Sequence, residues 1–314
     1  MKIGWSLSSL LLCAVHASAQ APAPPGAKPG EVVELVAAYP NTRYFWEQTD
    51  IARRLVAIGD KSTIASVEPY LDTTDRRRRC NAAFVMAGLG DERGTKILIH
   101  ELEDTGVEGR AAEPGNARGV GPIGRVPARE RALRQQVVSD RYFAALLLGE
   151  LRSRDAVPAL IAATRDPTIN YQAAMSLGEI GDKTALGALR EMLERFPDQR
   201  AWAGYALAAL GDASGFTVLR EALRDPEWVR RRYAVWGLGM TLDSAAVPIL
   251  VAALQDEHAN VRVAAAQELG KMGDRSALPA LRAALADNEV TQVNAPTTLA
   301  AEARKAIDAI EQRQ

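Results

Sequence analysis

Residues 261–285 read VRVAAAQELGKMGDRSALPALRAAL, and this stretch decides the fold. Val261, Ala265, Leu269 and Met272 fall at helical spacing on one face of a first helix, and Leu278, Leu281 and Leu285 do the same in a second. The break between them lies at Gly273-Asp274. Glycine suits the left-handed residue that closes a helix, while Asp274 or Ser276 supplies a side-chain oxygen to cap the next one. Pro279 then sits in the second helix's first turn, where its missing N–H costs little. A single hairpin of this kind has no cover for its apolar stripe, so it needs copies on either side.

The copies are found by their turns. Gly59-Asp60, Gly90-Asp91, Gly181-Asp182 and Gly211-Asp212 repeat the Gly273-Asp274 signal, and Arg152-Ser153 and Leu242-Asp243 hold the same place in two worn copies. Neighbouring turns lie about 30 residues apart, a period that belongs to helical solenoids. The seventh residue after each Asp or Ser is Val67, Leu98, Leu160, Leu189, Leu219, Leu250 or Leu281, which predicts a continuous apolar column through the stack. Ile64, Thr95, Val157, Leu186, Phe216, Val247 and Leu278 predict a second column inward of it. The expected fold is all-α: about seven hairpins, with a half-repeat at 31–39 covering one end and a helix at 298–312 closing the other.

A polar column accompanies the apolar ones. Gln48, Arg79, Arg141, Asn170, Arg200, Arg231 and Arg262 align in the first helices, and Asp72, Asp166, Asp225, Asp256 and Asp287 close several units. Acids recurring at matching positions predict an Arg–Asp ladder between adjacent turns, each charge-assisted bond fixing the register of one unit on the next. The other reading is a row of arginines awaiting an anionic ligand. The densest charge run, Arg76-Arg77-Arg78-Arg79, stands beside Asp72 and Asp75 and reads as a solvated helix start rather than a nucleic-acid patch. Tyr205, Trp228, Tyr233 and Trp236 fall in two adjacent first helices, where they are expected to fill inter-helix space; Trp and Tyr also anchor protein contacts.

One segment breaks the period. Residues 104–128, DTGVEGRAAEPGNARGVGPIGRVPA, carry glycines at 106, 109, 115, 119, 121 and 124, and no helix runs through such a composition. It reads as a flexible insertion; with Arg110, Arg118, Arg125 and Arg129 nearby, a lid or partner-binding arm is the alternative. Residues 128–151 then read as an extended first helix with Tyr142, Ala145, Leu148 and Leu151 turned inward.

In the 314-residue chain, Lys+Arg 38 against Asp+Glu 39 leaves no whole-protein pull toward nucleic acid or anionic lipid. Residues 1–19 read as an export signal, with Lys2 as the basic start, an apolar run from Ile3 to Val15, and Ala17-Ser18-Ala19 as a cleavage site before Gln20. The run is too short to span a bilayer comfortably, so no stable membrane span is expected. Residues 20–30, QAPAPPGAKPG, form a Pro-rich spacer ahead of the repeat domain at 31–314. Without the signal, which carries Cys13, Cys80 is the remaining cysteine, and no intramolecular disulfide can form. Within a predicted helix it reads as a small core residue rather than a reactive thiol.

The unit VRxxAAxxLGxxGDxxAxPxLxxAL, read at 261–285 and in worn form at 228–254 and 169–193, resembles the HEAT-like repeat of the phycobilisome lyase type. The resemblance implies a right-handed α-solenoid, with first helices outside and second helices lining a concave groove. It is specific for architecture and poor for activity, because that family includes chromophore lyases, a metal-dependent hydroxylase and plain binding scaffolds.

The hydroxylase branch binds iron through repeated His-Glu pairs at helix starts, whereas here His16 leaves with the signal and His100-Glu101 lies late in a second helix. His258 follows Glu257 in the reverse order, several repeats away, so no metal site is expected. No motif marks a bilin site. GVGPIG in the insertion follows no strand and opens no helix, so a nucleotide reading fails for want of context. Neither catalytic nor cofactor-binding residues are assigned.

What remains is recognition. The eighth residues of three second helices are Arg190, Arg220 and Arg282, and Glu191 and Glu221 follow the first two, giving a strip of mixed sign on the implied groove. The expected function is an exported, periplasmic or secreted, non-catalytic scaffold. It would hold another protein or peptide of the cell envelope through these residues. The alternative is an enzyme or accessory subunit of the chromophore-lyase type with an unrecognised site.

Overall fold

The computed structural model describes residues 28, 30–106, 128–291 and 296–313, the side chains of 128–132 excepted. The segment 1–19, most of the spacer 20–30 and most of the insertion 104–128 lie outside the described residues, as do Arg110, Arg118, Arg125 and the side chain of Arg129. Helix α1 (Glu31–Ala38) precedes the hairpins α2 (Phe45–Ile58) with α3 (Thr63–Val67), α4 (Arg76–Gly88) with α5 (Glu92–Glu103), and α6 (Ala128–Glu150) with α7 (Val157–Ala163). Then come α8 (Asn170–Ile180) with α9 (Leu186–Arg195), α10 (Arg200–Ala209) with α11 (Ser214–Ala222), α12 (Trp228–Met240) with α13 (Val247–Ala253), and α14 (Ala259–Met272) with α15 (Leu278–Ala283). Helix α16 (Leu299–Gln312) follows the last of them. This is the expected all-α solenoid of hairpins with a helix at either end. Packing divides it into two compact units, 1–176 and 177–314, with the boundary inside α8.

The turns follow the chemistry read from the sequence. Gly59, Gly90, Gly181, Gly211 and Gly273 all take the left-handed backbone, with φ between 75° and 92°. Arg152 and Leu242, the worn copies, keep the same backbone at φ 50° without glycine's freedom, so both turns carry strain. The cap comes from the aspartate: Asp274 accepts from the Ser276 N–H at 2.8 Å, and Asp60, Asp182, Asp212 and Asp243 do the same two residues on.

Val67, Leu98, Leu160, Leu189, Leu219, Leu250 and Leu281 are all buried, and in the second unit Leu219, Leu250 and Leu281 belong to one continuous core. The second predicted column is weaker than expected. Val157, Val247 and Leu278 are buried, but Ile64, Thr95, Leu186 and Phe216 are only half-buried. The position one residue earlier is buried throughout, as Thr63, Gly94, Ala156, Ala185, Gly215, Ala246 and Ala277. At two of these positions the second helix presses against the first helix of its own hairpin. A Cβ on Gly94 would stand 2.1 Å from the Ala83 carbonyl oxygen, and one on Gly215 2.3 Å from the Ala208 nitrogen. Small side chains are therefore a requirement of the close approach.

In the first unit α4 packs against α2, α5 and α6. In the second, the first helices α10, α12, α14 and the terminal α16 pack one on the next. The connection 287–297, expected as a turn-rich link, also contains a two-residue antiparallel ladder, β1 (Val290–Thr291) with β2 (Thr297–Thr298), in the register Val290↔Thr298 and Thr291↔Thr297. Its β-branched residues suit a pleat.

Candidate functional site

The arginine column is a ladder, and its rungs are more specific than the sequence implies. Each arginine reaches forward to the acid that closes its own unit: Arg141 to Asp166, Arg231 to Asp256 through paired bonds of 2.8 and 2.9 Å, and Arg262 to Asp287 at 2.8 Å. The same guanidinium also reaches back to the chain before its helix. Arg231 donates to the Asp225 and Pro226 carbonyls, and Arg262 to those of Asp256 and Glu257. One side chain thus stitches a unit to its predecessor, with the planar fork that lysine lacks. At two positions the partner differs from the expected aspartate, since Arg79 pairs with Glu101 and Arg200 with Glu221. Asn170 is fully buried at its place in the column, and Gln48 donates to the Tyr39 carbonyl at 3.2 Å.

The run at 76–79 corrects the expectation of a solvated helix start. Arg76 donates to Glu101 and Asp104, Arg79 to Glu101 and the Thr73 carbonyl, and Arg78 to the Thr42 carbonyl at 2.7 Å. Arg77 is buried, with its guanidinium 4.3 Å over the Phe45 ring, a bond to Gln136 at 3.2 Å and Asp140 at 3.6 Å. Successive residues of a helix point about 100° apart. With elements on several sides of α4, all four directions meet a partner.

Cys80 behaves as expected of a core residue: it is fully buried, and burial pushes its thiol well above the ordinary range.

The mixed strip on the second helices stays at the surface. Arg190 and Arg282 have side chains 58% and 59% exposed, pairing with Asp212 and Glu311. Glu191 lies 3.9 Å from Arg195, and Glu221 takes Arg200 at 2.8 Å. Arg220 is exposed in the last turn of α11 and makes no ion pair among the described residues.

A cleft of about 260 Å³ lies in the second unit between α12, α14, the short β ladder and α16. Arg232 and Trp236 line one wall, Asn260 and Gln267 the next, and Glu302 and Lys305 the third. The Arg232 guanidinium is buried, 4.6 Å over the Trp236 ring and 5.5 Å from that of Trp228. Trp228 stacks in turn on His258 at 4.2 Å, and the His258 Nδ1 caps α14 by accepting from the Asn260 N–H. Glu302 accepts from Lys305 and Thr297 on one oxygen and from Gln267 on the other. Burial works to raise its carboxyl, but the bonds from Lys305, Thr297 and Gln267 outweigh that and hold it below the usual range.

The sequence predicts Tyr205, Trp228, Tyr233 and Trp236 as inter-helix packing. Tyr205 is buried as expected, whereas Trp228, Tyr233 and Trp236 are half-buried. The signal was available: 228, 232 and 236 form a Trp–Arg–Trp stripe at helical spacing, one residue out of phase with the ladder. No group of His, Cys, Asp and Glu side chains among the described residues is arranged to hold a metal ion. No helix among them is long and apolar enough to cross a membrane.

The sequence model of HEAT repeats matches residues 127–212 and 216–302, more than half of the chain. The chain belongs to the HEAT-repeat family. A comparison with curated proteins finds no match. Among solved structures, this HEAT-repeat protein is similar to the complex of CpcE and CpcF of phycocyanin lyase from Nostoc sp. PCC7120, with 23% identity, a TM-score of 0.46, and 79% of this chain and 94% of that one covered. It is also similar to human deoxyhypusine hydroxylase in complex with glycerol, with 21% identity, a TM-score of 0.35 and coverages of 90% and 96%. The match to HEAT repeats agrees with the HEAT-like unit read from the sequence. At these TM-scores nothing that those proteins bind or catalyse passes to this chain.

Proposed function

We propose that this HEAT-repeat protein is an exported, non-catalytic scaffold that holds another protein or peptide of the cell envelope on the side formed by its second helices. One contrast carries the reading. Ladder arginines such as Arg231 are buried and committed to the fold, while the charges that recur on the second helices remain exposed. Arg190, Arg220 and Arg282 with Glu191 and Glu221 then select a partner by charge. Exposed pairs of this kind contribute about 0 to 1 kcal/mol each to folding, so they are free to serve recognition. Crosslinking in the native envelope followed by mass spectrometry identifies the partner. Charge reversal at Arg220 should weaken its capture while leaving helicity intact, and undiminished capture by the Arg190→Glu/Arg220→Glu double variant would remove the strip from the proposal. Export is tested by N-terminal sequencing of the mature protein, which should begin at Gln20.

A further inference from the structure

The cleft between α12, α14 and α16 is limited first by its size. At about 260 Å³ it falls below the roughly 300–1,000 Å³ of pockets that enclose a small-molecule ligand, so it suits a single side chain presented by a larger partner. Its charges are already engaged. Glu302 has its two oxygens on Thr297, Gln267 and Lys305, and Arg232 is buried over the Trp236 and Trp228 rings as part of the wall. What remains open is neutral. The Asn260 side-chain amide makes no hydrogen bond among the described residues, and it lines the cleft with Val263 and Ala264. Gln267 gives its NH2 to Glu302, so its carbonyl oxygen is the end left without a donor among the described residues. The open set is therefore two carbonyl oxygens and one NH2 group, in a cleft that Trp236 and Val263 also line.

We propose that this cleft seats a glutamine side chain of a partner polypeptide, its methylenes against Trp236 and Val263 and its amide on Asn260 and Gln267. The inventory of donors and acceptors selects the amide. A primary amide brings two N–H donors for the two open carbonyls and an oxygen for the Asn260 NH2, whereas a carboxylate has no donor and an ammonium no acceptor. The second methylene of glutamine, absent from asparagine, adds apolar cover for Trp236. Free glutamine carries the same amide, but its ammonium and carboxylate would bring two further charges to walls whose own charges are engaged. This inference rests on the reading that the protein binds a polypeptide, but it uses α12, α14 and α16 instead of the second-helix strip, so either can fail alone.

The test titrates the full chain with a library of short labelled peptides, each glutamine-containing member matched by versions with glutamate or methionine in its place, and follows fluorescence anisotropy. Some glutamine peptides should bind saturably, about tenfold more tightly than both counterparts, the ratio expected when neutral hydrogen bonds are made in one complex and missing in the other. Asn260→Ala, at a side chain with no bond to lose, should erase most of that preference with an unchanged thermal transition. Unlabelled glutamine peptides should shift the tryptophan emission of the parent and not that of Trp236→Phe. Free glutamine should compete poorly. The proposal is overturned if no glutamine peptide exceeds both its counterparts, if the preference survives Asn260→Ala, if the emission shift survives Trp236→Phe, or if free glutamine competes as well as the peptides do. Loss of partner capture in the Arg190→Glu/Arg220→Glu variant with glutamine preference retained would separate the two sites.

Discussion

The arginine cluster at the start of α4 and the arginine pair near the start of α12 are built from the same residue type and do different work. In the first unit Arg76, Arg77, Arg78 and Arg79 all turn inward or sideways onto acids, carbonyls or a ring, and the run is consumed by the fold. In the second unit Arg231 is consumed in the same way, by Asp256 and two carbonyls, but its neighbour Arg232 lies over an indole and faces a cleft. A step of about 100° around the helix separates the two outcomes. The difference teaches that a charge run has no role of its own. The role is set by which element lies opposite each residue.

The comparison can be broken most forcefully at Glu101. It is almost fully buried and accepts from both Arg76 and Arg79, so Glu101→Ala removes a buried carboxylate from two guanidinium groups at once, leaving Arg76 with Asp104 and Arg79 with the Thr73 carbonyl, and should cost about 3 kcal/mol in urea unfolding. A loss near zero would mean that the cluster is solvated after all. The matching change in the second unit, Asp256→Ala, should cost less, about 2 kcal/mol, because Arg231 keeps Glu257 and two carbonyls.

Strain at the worn turns offers a change of opposite sign. Leu242 is half-exposed with φ 50°, so Leu242→Gly should raise stability by about 1 kcal/mol, seen as a higher thermal midpoint.

The smallest effect concerns acid. Asp212 has its carboxyl held below the usual range by the bonds from Ser214 and then by Arg190, and Asp60, Asp91 and Asp274 are lowered by the bonds from Ser62, Arg93 and Ser276. A depressed folded-state pKa contributes stability that is present above the unfolded value near 3.9 and is lost as pH falls through the folded one. Unfolding midpoints should therefore decline below about pH 4, and Asp212→Asn should decline less steeply over that window than its parent.

Much of this was legible in the sequence because turns and columns are local. Gly273-Asp274 and its copies place every hairpin, and the column through Leu250 follows by counting. The fate of Arg77 was not legible. From Arg77 to Met86 helix α4 is buried nearly all round, so its pattern shows no apolar face against which a buried arginine would look out of place. The small residues at Gly94 and Gly215 stood in register too, but only the close approach of helix backbones gives that column a meaning. The cleft was missed because Asn260 and Lys305 belong to helices far apart in sequence, and no motif joins them to Trp236.

The central claim is that Arg231 holds the repeat stack through its pair with Asp256. A double-mutant cycle measured by urea unfolding tests it most directly, pairing Asp256→Ala first with Arg231→Ala and then with Arg232→Ala. A coupling of about 1.5 kcal/mol or more is predicted for Arg231 with Asp256, and under about 0.5 kcal/mol for Arg232 with Asp256. Equal couplings, or none for Arg231, would contradict the account.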